Sequence, residues 1–422
     1  MRKKFKRRFL IVGVVFLALI IIAAVMLLNV DVKALGDLSN ESYVTFEDVQ
    51  KINEQNMFGK FVDASLDKSQ VEVGGEKPKI GKVTFKLFGL IPIKSVDVQI
   101  LGDENVYLGG NAVGFSIKTD GVIVVGKNSV MTENGLVSVC DNQNICAGDI
   151  ITHIDGNAIK DANDIPSHLK GVTGGVKLTL KRGSKNFDVT LQPQLDTNGN
   201  KKIGLWVRDD ATGIGTLTYV DSKTLDFGAL GHPVTDGETG TKIDIQKGQV
   251  YDCSVVGIEK GERGKPGELK GVFLSSKNAK GEIEGGNEFG IYGKILEKSG
   301  MVDENVVAGV GGRLAVKPGK AQIMSSVSGV REYYDIEIIK ASKQKTAKDK
   351  SMVFRVTDKR LLELTGGIIQ GMSGSPILQN GKLIGAVTHV LVDDPTKGYG
   401  IFAENMLENA QTISTEQLKN AS

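Results

Sequence analysis

The sequence predicts a mostly β protein that follows a single hydrophobic helix at the N-terminus. A cluster of Arg and Lys within residues 2–8 precedes twenty almost entirely apolar residues, Phe9–Leu28. Short apolar–polar alternations separated by Gly, Asp and Asn recur from Ile80 onward, a pattern typical of strands joined by turns. The chain has 53 Gly and only 9 Pro among 422 residues. Many short strands joined by glycine turns explain this composition, and the length allows two or three domains.

Residues 1–30 are predicted to form a basic cytoplasmic segment and a transmembrane anchor. At a helical rise of about 1.5 Å per residue, Phe9–Leu28 spans the roughly 30 Å hydrocarbon core of a bilayer. The basic end stays in the cytoplasm, so the prediction is a single-pass membrane protein whose C-terminal domains are extracytoplasmic. The alternative is a cleaved secretory signal ending near Val32–Ala34, although the apolar run exceeds the roughly 7 to 15 residues usual for such signals.

The formal net charge of +2 arises from the N-terminus. Residues 2–8 carry six of the 52 Lys and Arg side chains, and the remaining 46 are outnumbered by 50 Asp and Glu. The folded part of the chain therefore gives no charge-based indication of nucleic-acid binding.

The three cysteines are Cys140, Cys146 and Cys253. Cys140 and Cys146 could close a small disulfide loop in an oxidising compartment, and buried or inert thiols are the alternative that we favour. A Cys-x2-Cys spacing is absent, and His153 is a poor fourth ligand without further partners. The sequence therefore predicts no metal site.

Two smaller units are predicted between the anchor and the C-terminal domain. Residues 31–104 form a juxtamembrane spacer with a small β element, because residues 80–100 alternate like strands. Residues 105–195 form a PDZ-like domain. In that stretch Ala112–Ile117 resembles the Gly-Leu-Gly-Phe loop and following strand of PDZ domains, and Ala147–Gly156 resembles a later strand and turn of the same fold.

The resemblance to PDZ domains implies that this unit binds an extended peptide by strand addition. Convergent N–H groups near Ala112, Val113, Gly114 and Phe115 would hold the peptide carboxylate. His168, on the following predicted helix, would face the peptide, and a partly buried structural histidine is the alternative. For the whole unit, the alternative is a rigid spacer without a ligand.

Residues 200–412 are predicted to form an antiparallel β-barrel domain that carries a catalytic serine. The segment Gln370–Pro376 reads Gln-Gly-Met-Ser-Gly-Ser-Pro. In such a turn the glycines allow unusual dihedrals and main-chain N–H groups converge on one point. Ser373 is the candidate nucleophile, and the N–H groups of Gly371 and Ser373 are the candidate oxyanion hole. Ser375, two residues on, is the local alternative.

A serine nucleophile needs a base, and His232 is the best candidate among four histidines. It ends an apolar segment at a Gly/Pro turn, where a strand end would present the imidazole to a cleft. Asp358, directly after the strand-like residues 352–357, is the candidate carboxylate that fixes the histidine tautomer. Asp236, four residues after His232, is the alternative acid. His389 could be a residue of the substrate pocket or a plain barrel histidine.

These motifs resemble a known peptidase family. The serine turn is similar to the nucleophile turn of chymotrypsin-like serine peptidases, with Met and Ser replacing two of the usual residues. Most of the chain resembles the stage IV sporulation protein B peptidases of endospore-forming bacteria. The segments that carry this resemblance are Leu230–Pro233, Gln370–Pro376, Gly385–Val390, Asp394–Thr396 and Gly398–Gly400.

The resemblance implies two six-stranded barrels with a cleft between them, with His232, Asp358 and Ser373 as the catalytic triad and no metal or organic cofactor. It also implies self-processing, within residues 29–80, and a role in signalling from forespore to mother cell. In that role the enzyme lies in the space between the two spore membranes. There it cleaves a membrane-bound inhibitor of an intramembrane protease, so that a sigma factor matures.

Two alternatives remain open at this point. A non-catalytic scaffold would use the PDZ-like unit to bind membrane-protein tails, and a general extracytoplasmic quality-control protease would degrade many unfolded proteins. The PDZ-like groove is expected to bind either the enzyme's own N-terminal region or the membrane-proximal tail of the substrate.

Overall fold

A computed structural model describes residues 42–44, 62–67, 79–87, 90–100 and 105–420, apart from residues 184, 237–239, 241, 244, 246, 274–277, 314–315, 343–347 and 349. The predicted membrane anchor, residues 1–30, lies outside the described residues. Among the helices that are described, none is long and apolar enough to cross a membrane.

The chain divides into two compact units, and the first, residues 1–103 with short later segments, contains one small sheet. Its strands are β1 (Ser42–Val44), β2 (Val62–Asp67), β3 (Lys79–Leu87) and β4 (Ile91–Ile100). They pair in the order β1-β4-β3-β2, with only the β1–β4 pair parallel. Alternate residues of β3 and β4, among them Val83, Phe85, Val96 and Val98, are buried.

The second unit contains all the other strands and helices of the described chain. Its first part has β5 (Asn105–Leu108), β6 (Ala112–Lys127), β7 (Ser129–Thr132), β8 (Gly135–Ser138), β9 (Ile150–Ile154), β10 (Asn157–Ala158), α1 (Asp164–Leu169), β11 (Val176–Arg182), β12 (Lys185–Leu191), β13 (Gln194–Leu195) and β14 (Lys201–Lys202). Its middle part has β15 (Leu205–Asp221), β16 (Asp226–Ala229), β17 (Lys247–Asp252), β18 (Ser254–Glu259), β19 (Glu268–Val272), β20 (Gly281–Asn287), β21 (Gly290–Ile295) and β22 (Val307–Gly309). Its last part has β23 (Gly319–Ser325), β24 (Glu332–Ala341), β25 (Met352–Val356), α2 (Lys359–Thr365), β26 (Pro376–Gln379), β27 (Lys382–Val390), β28 (Lys397–Phe402) and α3 (Ala403–Asn420).

Two closed six-stranded barrels form most of this unit. In the first barrel the strands pair around the ring in the order β6-β17-β20-β21-β16-β15 and back to β6. In the second the order is β23-β24-β25-β28-β27-β26. Closure leaves no unpaired edge in either ring, and each barrel has a continuous apolar core.

A PDZ-like sheet extends from the first barrel. It consists of β12, β11, β9 and the C-terminal half of β6, and α1 packs against it. Its core includes Val122, Ile151, Leu178 and Leu180, together with Leu169 of α1. The long strand β6 therefore belongs to both parts: its first half completes the barrel and its second half enters the PDZ-like sheet.

Candidate active site

The turn that carries Ser373 leads from α2 into the second barrel. Gly371 and Gly374 have φ angles of 94° and 96°, in the left-handed region that favours glycine. The N–H of Met372 donates to the carbonyl of Ile369, and that of Ser375 donates to the carbonyl of Met372. These bonds wind the backbone tightly around the serine, as the sequence predicted.

In this turn, N–H groups that donate a hydrogen bond to the protein alternate with N–H groups that do not. Those of Gln370, Met372 and Gly374 donate to backbone carbonyls. Within the part of the chain that the structure describes, the N–H groups of Gly371 and Ser373 donate to no protein acceptor. Two such donors next to a nucleophile are what stabilisation of an oxyanion requires.

The serine turn is fixed to the first barrel through two threonines of β15. The N–H of Thr216 donates to the carbonyl of Ser373 at 2.9 Å, and its hydroxyl donates to the carbonyl of Gly371 at 2.7 Å. The hydroxyl of Thr218 donates to the carbonyl of Gly374 at 2.8 Å. Sequence reasoning did not identify these threonines, because they lie more than 150 residues from the turn and carry no local signal.

The two serines of the turn differ in accessibility. Ser373 is half-buried, and its hydroxyl donates to the carbonyl of Thr388 at 2.7 Å. Ser375 is fully buried, and its hydroxyl has no hydrogen-bond partner among the described residues. A buried hydroxyl cannot reach a substrate, so the geometry favours Ser373 over Ser375 as the nucleophile.

His232 follows the end of β16 at a sharp turn. Leu230 and Gly231 have φ angles of 71° and 74°, and the positive φ of Leu230 is an uncommon conformation of the kind that clusters at functional sites. The turn lies beside β27, because a Cβ atom on Gly231 would be 3.1 Å from the methyl group of Thr388. The rings of His232 and His389 lie 5.0 Å apart. His232 and Ser373 therefore meet the same short segment of β27.

The tautomer of His232 follows from its hydrogen bond. Its Nδ1 lies 2.8 Å from the carbonyl oxygen of Pro233. A carbonyl can only accept, so in the neutral ring Nδ1 carries the proton and Nε2 carries the lone pair. This is the tautomer that a general base needs.

Asp358 does not contact His232 in this structure, which corrects the expected triad geometry. Its carboxylate is the N-cap of α2, and its side chain is 10% exposed. Both oxygens accept from the guanidinium of Arg360, and one also accepts from the N–H of Asp335. The pKa of Asp358 is lowered, chiefly by the hydrogen bond from Arg360. The carboxylate is therefore hydrogen-bonded to groups at the start of α2.

The alternative acid, Asp236, occupies a different environment. It is buried and forms an ion pair with Arg208 of β15. Arg208 was not singled out from the sequence, because the pairing joins residues 28 apart on different elements. The pair ties the segment that follows His232 to the first barrel.

The structure also contradicts the expected peptide-binding role of Ala112, Val113, Gly114 and Phe115. These residues lie at the start of β6, where they pair with β15 on one side and with β17 on the other. Because both edges are used, no peptide can add there. His168 lies on α1, and its Nδ1 is 2.8 Å from the carbonyl of Asp164 in the same helix.

The cysteines are free thiols, with Cys140 and Cys253 buried and Cys146 exposed. Burial raises the pKa of Cys140 to about 11, so its thiol is protonated and unreactive at neutral pH. Among the described residues, no group of His, Cys, Asp and Glu is arranged to hold a metal ion.

Part of this chain matches a known protein family. Residues 199–407 match the family model of the SpoIVB peptidase S55. A comparison with curated proteins gives no match. The PDZ domain of an SdrC-like protein from Listeria monocytogenes is 32% identical, with a TM-score of 0.17, over 22% of this chain and 90% of that domain.

Two solved proteases are also similar to this chain. The active form of the Rv3671c protease from M. tuberculosis is 13% identical over 48% of this chain and 74% of that chain, with a TM-score of 0.27. The HtrA-type protease AlgW, solved with a decapeptide, is 11% identical over 49% of this chain and 54% of that chain, with a TM-score of 0.29. The matched residues 199–407 contain the second barrel, five of the six strands of the first, the serine turn and the histidine, so this chain carries a serine peptidase domain of the SpoIVB S55 family.

Proposed function

We propose that Ser373 is the nucleophile of an exported, membrane-anchored endopeptidase. The observation that carries this proposal is the serine turn itself. The half-buried Ser373 lies in a turn in which two backbone N–H groups, of Gly371 and of Ser373 itself, have no acceptor in the described structure. Elsewhere in the same turn the N–H groups are satisfied, so these two are available for a substrate oxygen.

The proposed reaction is acyl transfer. Nε2 of His232 takes the proton of the Ser373 hydroxyl as the oxygen attacks the scissile carbonyl. The N–H groups of Gly371 and Ser373 stabilise the oxyanion, the leaving amine takes the proton back, and water hydrolyses the acyl-enzyme. In the resting structure the hydroxyl is bonded to the carbonyl of Thr388, so it must first rotate away from that carbonyl.

Two carboxylates, Asp358 and Asp236, are candidates for the acid that orients His232. The resemblance to the sporulation peptidases supports Asp358, whereas the carbonyl of Pro233 meets Nδ1 of His232 in this structure. For Asp358 to reach His232, it must leave Arg360 and the N-cap of α2. Replacing Asp358 and Asp236 separately with Asn distinguishes the two acids, because only the orienting acid should change the pH dependence of the rate.

The proposed biological role is intercompartmental signalling during sporulation. It is supported by the family match and by the predicted anchor, whose residues lie outside the described part. The proposed substrate is the exposed region of a membrane-bound inhibitor of an intramembrane protease, located in the space between the forespore membranes. Its cleavage would activate a sigma factor, and the enzyme would also process its own N-terminal region.

The first test uses the full chain in detergent micelles with a fluorophosphonate probe, which labels activated serines without a peptide substrate. Ser373→Ala should abolish labelling and self-cleavage. Ser375→Ala, in the same turn, removes only a buried hydroxyl and should retain both. Labelling that persists in Ser373→Ala would overturn the assignment.

The second test compares wild type and Ser373→Ala on the purified ectodomain of a candidate inhibitor and on a set of unrelated unfolded proteins. Cleavage of the inhibitor at one or two sites supports the signalling role. Degradation of the whole set would indicate a quality-control protease. Full biological activity of Ser373→Ala would indicate a scaffold.

A further inference from the structure

A hairpin that belongs to neither barrel connects β17 and β20 of the first barrel. Its strands, β18 and β19, pair antiparallel with each other and form a separate two-stranded sheet. Although the hairpin branches from the first barrel, its apolar side chains pack into the core of the second. Leu269 belongs to that core together with Ile368, Ile369 and Met372, and Ile258 packs against it. The hairpin therefore reaches from the first barrel to the segment that carries the nucleophile.

Strand β19 pairs with the first residue of the serine turn. Glu268 forms a parallel bridge with Gln370. The N–H of Gln370 donates to the carbonyl of Gly267 at 2.8 Å, and the N–H of Leu269 donates to the carbonyl of Gln370 at 2.9 Å. Both backbone polar groups of Gln370 are thus held by the hairpin.

The bond from Leu269 sets the direction of an oxyanion donor. The carbonyl of Gln370 and the N–H of Gly371 belong to one planar trans peptide unit and point in opposite directions. Because the carbonyl is held by Leu269, the N–H of Gly371 points away from the hairpin. It is one of the two N–H groups of the turn that donate to no protein acceptor in the described chain. If this peptide unit rotated by half a turn, a carbonyl would replace the donor and would repel an oxyanion.

The side chain of Leu269 packs beside Gly371. Its exposed fraction is 4%, and a Cβ atom on Gly371 would lie 2.8 Å from the Cβ of Leu269. The next peptide unit is held by a different element, because the hydroxyl of Thr216 donates to the carbonyl of Gly371. The two peptide units that flank Gly371 are therefore fixed separately, one by β19 and the other by β15.

Two further hydrogen bonds attach the tip of the hairpin to the second barrel. The N–H of Gly261 donates to the carbonyl of Thr365 at the end of α2, at 2.8 Å. The N–H of Gly264 donates to the carbonyl of Val392, which follows β27, at 2.9 Å. The hairpin is thus attached on both sides of the segment that leads into the serine turn.

We propose that Leu269 is a positioning residue for the oxyanion hole, and that attachment of the β18–β19 hairpin assembles this part of the active site. With the hairpin attached, the N–H of Gly371 is held toward the substrate oxygen. With the hairpin detached, the peptide unit between Gln370 and Gly371 can rotate, and one of the two donors is lost. The inference rests on the proposed function, because it concerns the same oxyanion hole.

The hydrogen bond is tested by comparing Leu269→Pro with Leu269→Ala in the full chain in detergent micelles. Both changes remove the leucine side chain, but only proline also removes the N–H. That N–H donates to Gln370, outside the pairing of β18 with β19, and proline is tolerated at such an edge position of a strand. The difference between the two variants therefore reports the bond to Gln370.

The readout is fluorophosphonate labelling of Ser373, measured as a maximal rate and a half-saturating concentration. In this reaction the serine oxygen bonds to phosphorus, fluoride leaves and the serine proton passes to His232. Negative charge develops on the phosphonyl oxygen, which is the charge that an oxyanion hole stabilises. The maximal rate should be about 10²–10³-fold lower in Leu269→Pro than in Leu269→Ala, the usual effect of losing one donor, with the same half-saturating concentration. Equal maximal rates would overturn the role of Leu269, whereas an absence of labelling in the wild type would refute the proposed function instead.

Two glycines of the hairpin give a second test, which does not depend on how the chain accommodates proline. A Cβ on Gly267 would lie 2.4 Å from the carbonyl oxygen of Glu259 and 2.7 Å from the side chain of Ile369, whereas a Cβ on Gly257 would meet only Lys270, at 3.8 Å. Gly267→Ala should therefore displace the hairpin from the serine turn and slow labelling roughly tenfold or more. Gly257→Ala, the same change on the same hairpin, should label at the wild-type rate. Equal rates in the two glycine variants would overturn the proposal.

Discussion

Replacing Arg208 with Met is expected to destabilise the peptidase domain far more than the same change at Arg360. The carboxylate that Arg208 faces, Asp236, has a side chain only 2% exposed, and Arg208 itself is 32% exposed. Removing one partner of a buried ion pair costs about 3–5 kcal/mol, because the other charge stays buried. The partial exposure of Arg208 points to the lower end, about 3 kcal/mol.

Arg360 provides the matched control. It also pairs with an aspartate, Asp358, but its side chain is 59% exposed. Exposed pairs contribute only about 0–1 kcal/mol. For a domain of this size, about 3 kcal/mol corresponds to a fall in Tm of roughly 6–12 °C, and about 1 kcal/mol to roughly 2–4 °C.

The assay is thermal and urea unfolding of the full-length variants in the same detergent. Labelling of Ser373 by a fluorophosphonate below Tm reports whether the His232 segment keeps its position. We expect Arg208→Met to slow labelling because the pair fixes that segment. A Tm for Arg208→Met equal to or above that of Arg360→Met would refute the reasoning from burial.

Three further outcomes are expected. Gly371 has a φ of 94°, and a Cβ there would lie 2.8 Å from a leucine side chain, so Gly371→Ala should displace the N–H of this residue. Labelling of the serine should then slow by about 10²–10³-fold, the usual effect of losing one oxyanion donor. Asp358→Asn should weaken the dependence of Tm on pH under acidic conditions. The lowered pKa of Asp358 means that its contribution is present above its unfolded pKa, near 4, and is lost as pH falls through the folded value, so the Tm difference from wild type should shrink as the pH falls below about 4. Iodoacetamide at pH 8 should alkylate the exposed Cys146 in the native protein and leave Cys140, whose pKa is about 11, unmodified until the chain is unfolded; mass spectrometry of both samples checks this.

The features predicted well from the sequence are those that depend on neighbours in the chain. The strand at Met352–Val356 occupies the predicted residues, because alternating burial is a local property. The turn at Gln370–Pro376 also forms as predicted, since Gly371 and Gly374 adopt the left-handed dihedrals that such a turn requires. Burial of Ser375 was not visible in the sequence, because it depends on how the second barrel closes around it.

The catalytic role predicted for Asp358 competes with a capping role that nearby residues create. The residue follows the end of β25 by two positions, close to where it was predicted, but α2 begins at the next position and Arg360 is two residues on. An Asp before a helix caps it, and a guanidinium in reach binds the same carboxylate bidentately. The sequence Asp-Lys-Arg contains this signal, so the capping role could have been weighed against the catalytic one.

The strand pairing of Ala112–Phe115 could not be predicted from neighbouring residues, because its partners, β15 and β17, are distant in sequence. The resemblance of Ala112–Phe115 to the Gly-Leu-Gly-Phe loop of PDZ domains predicts a peptide site, yet a Cβ at Gly114 would overlap the ring of Phe273. Gly213, opposite in β15, is similarly constrained, since its Cβ would lie 2.7 Å from the ring of Phe115. These glycines make room for aromatic rings in a barrel, and both rings belong to residues distant in sequence.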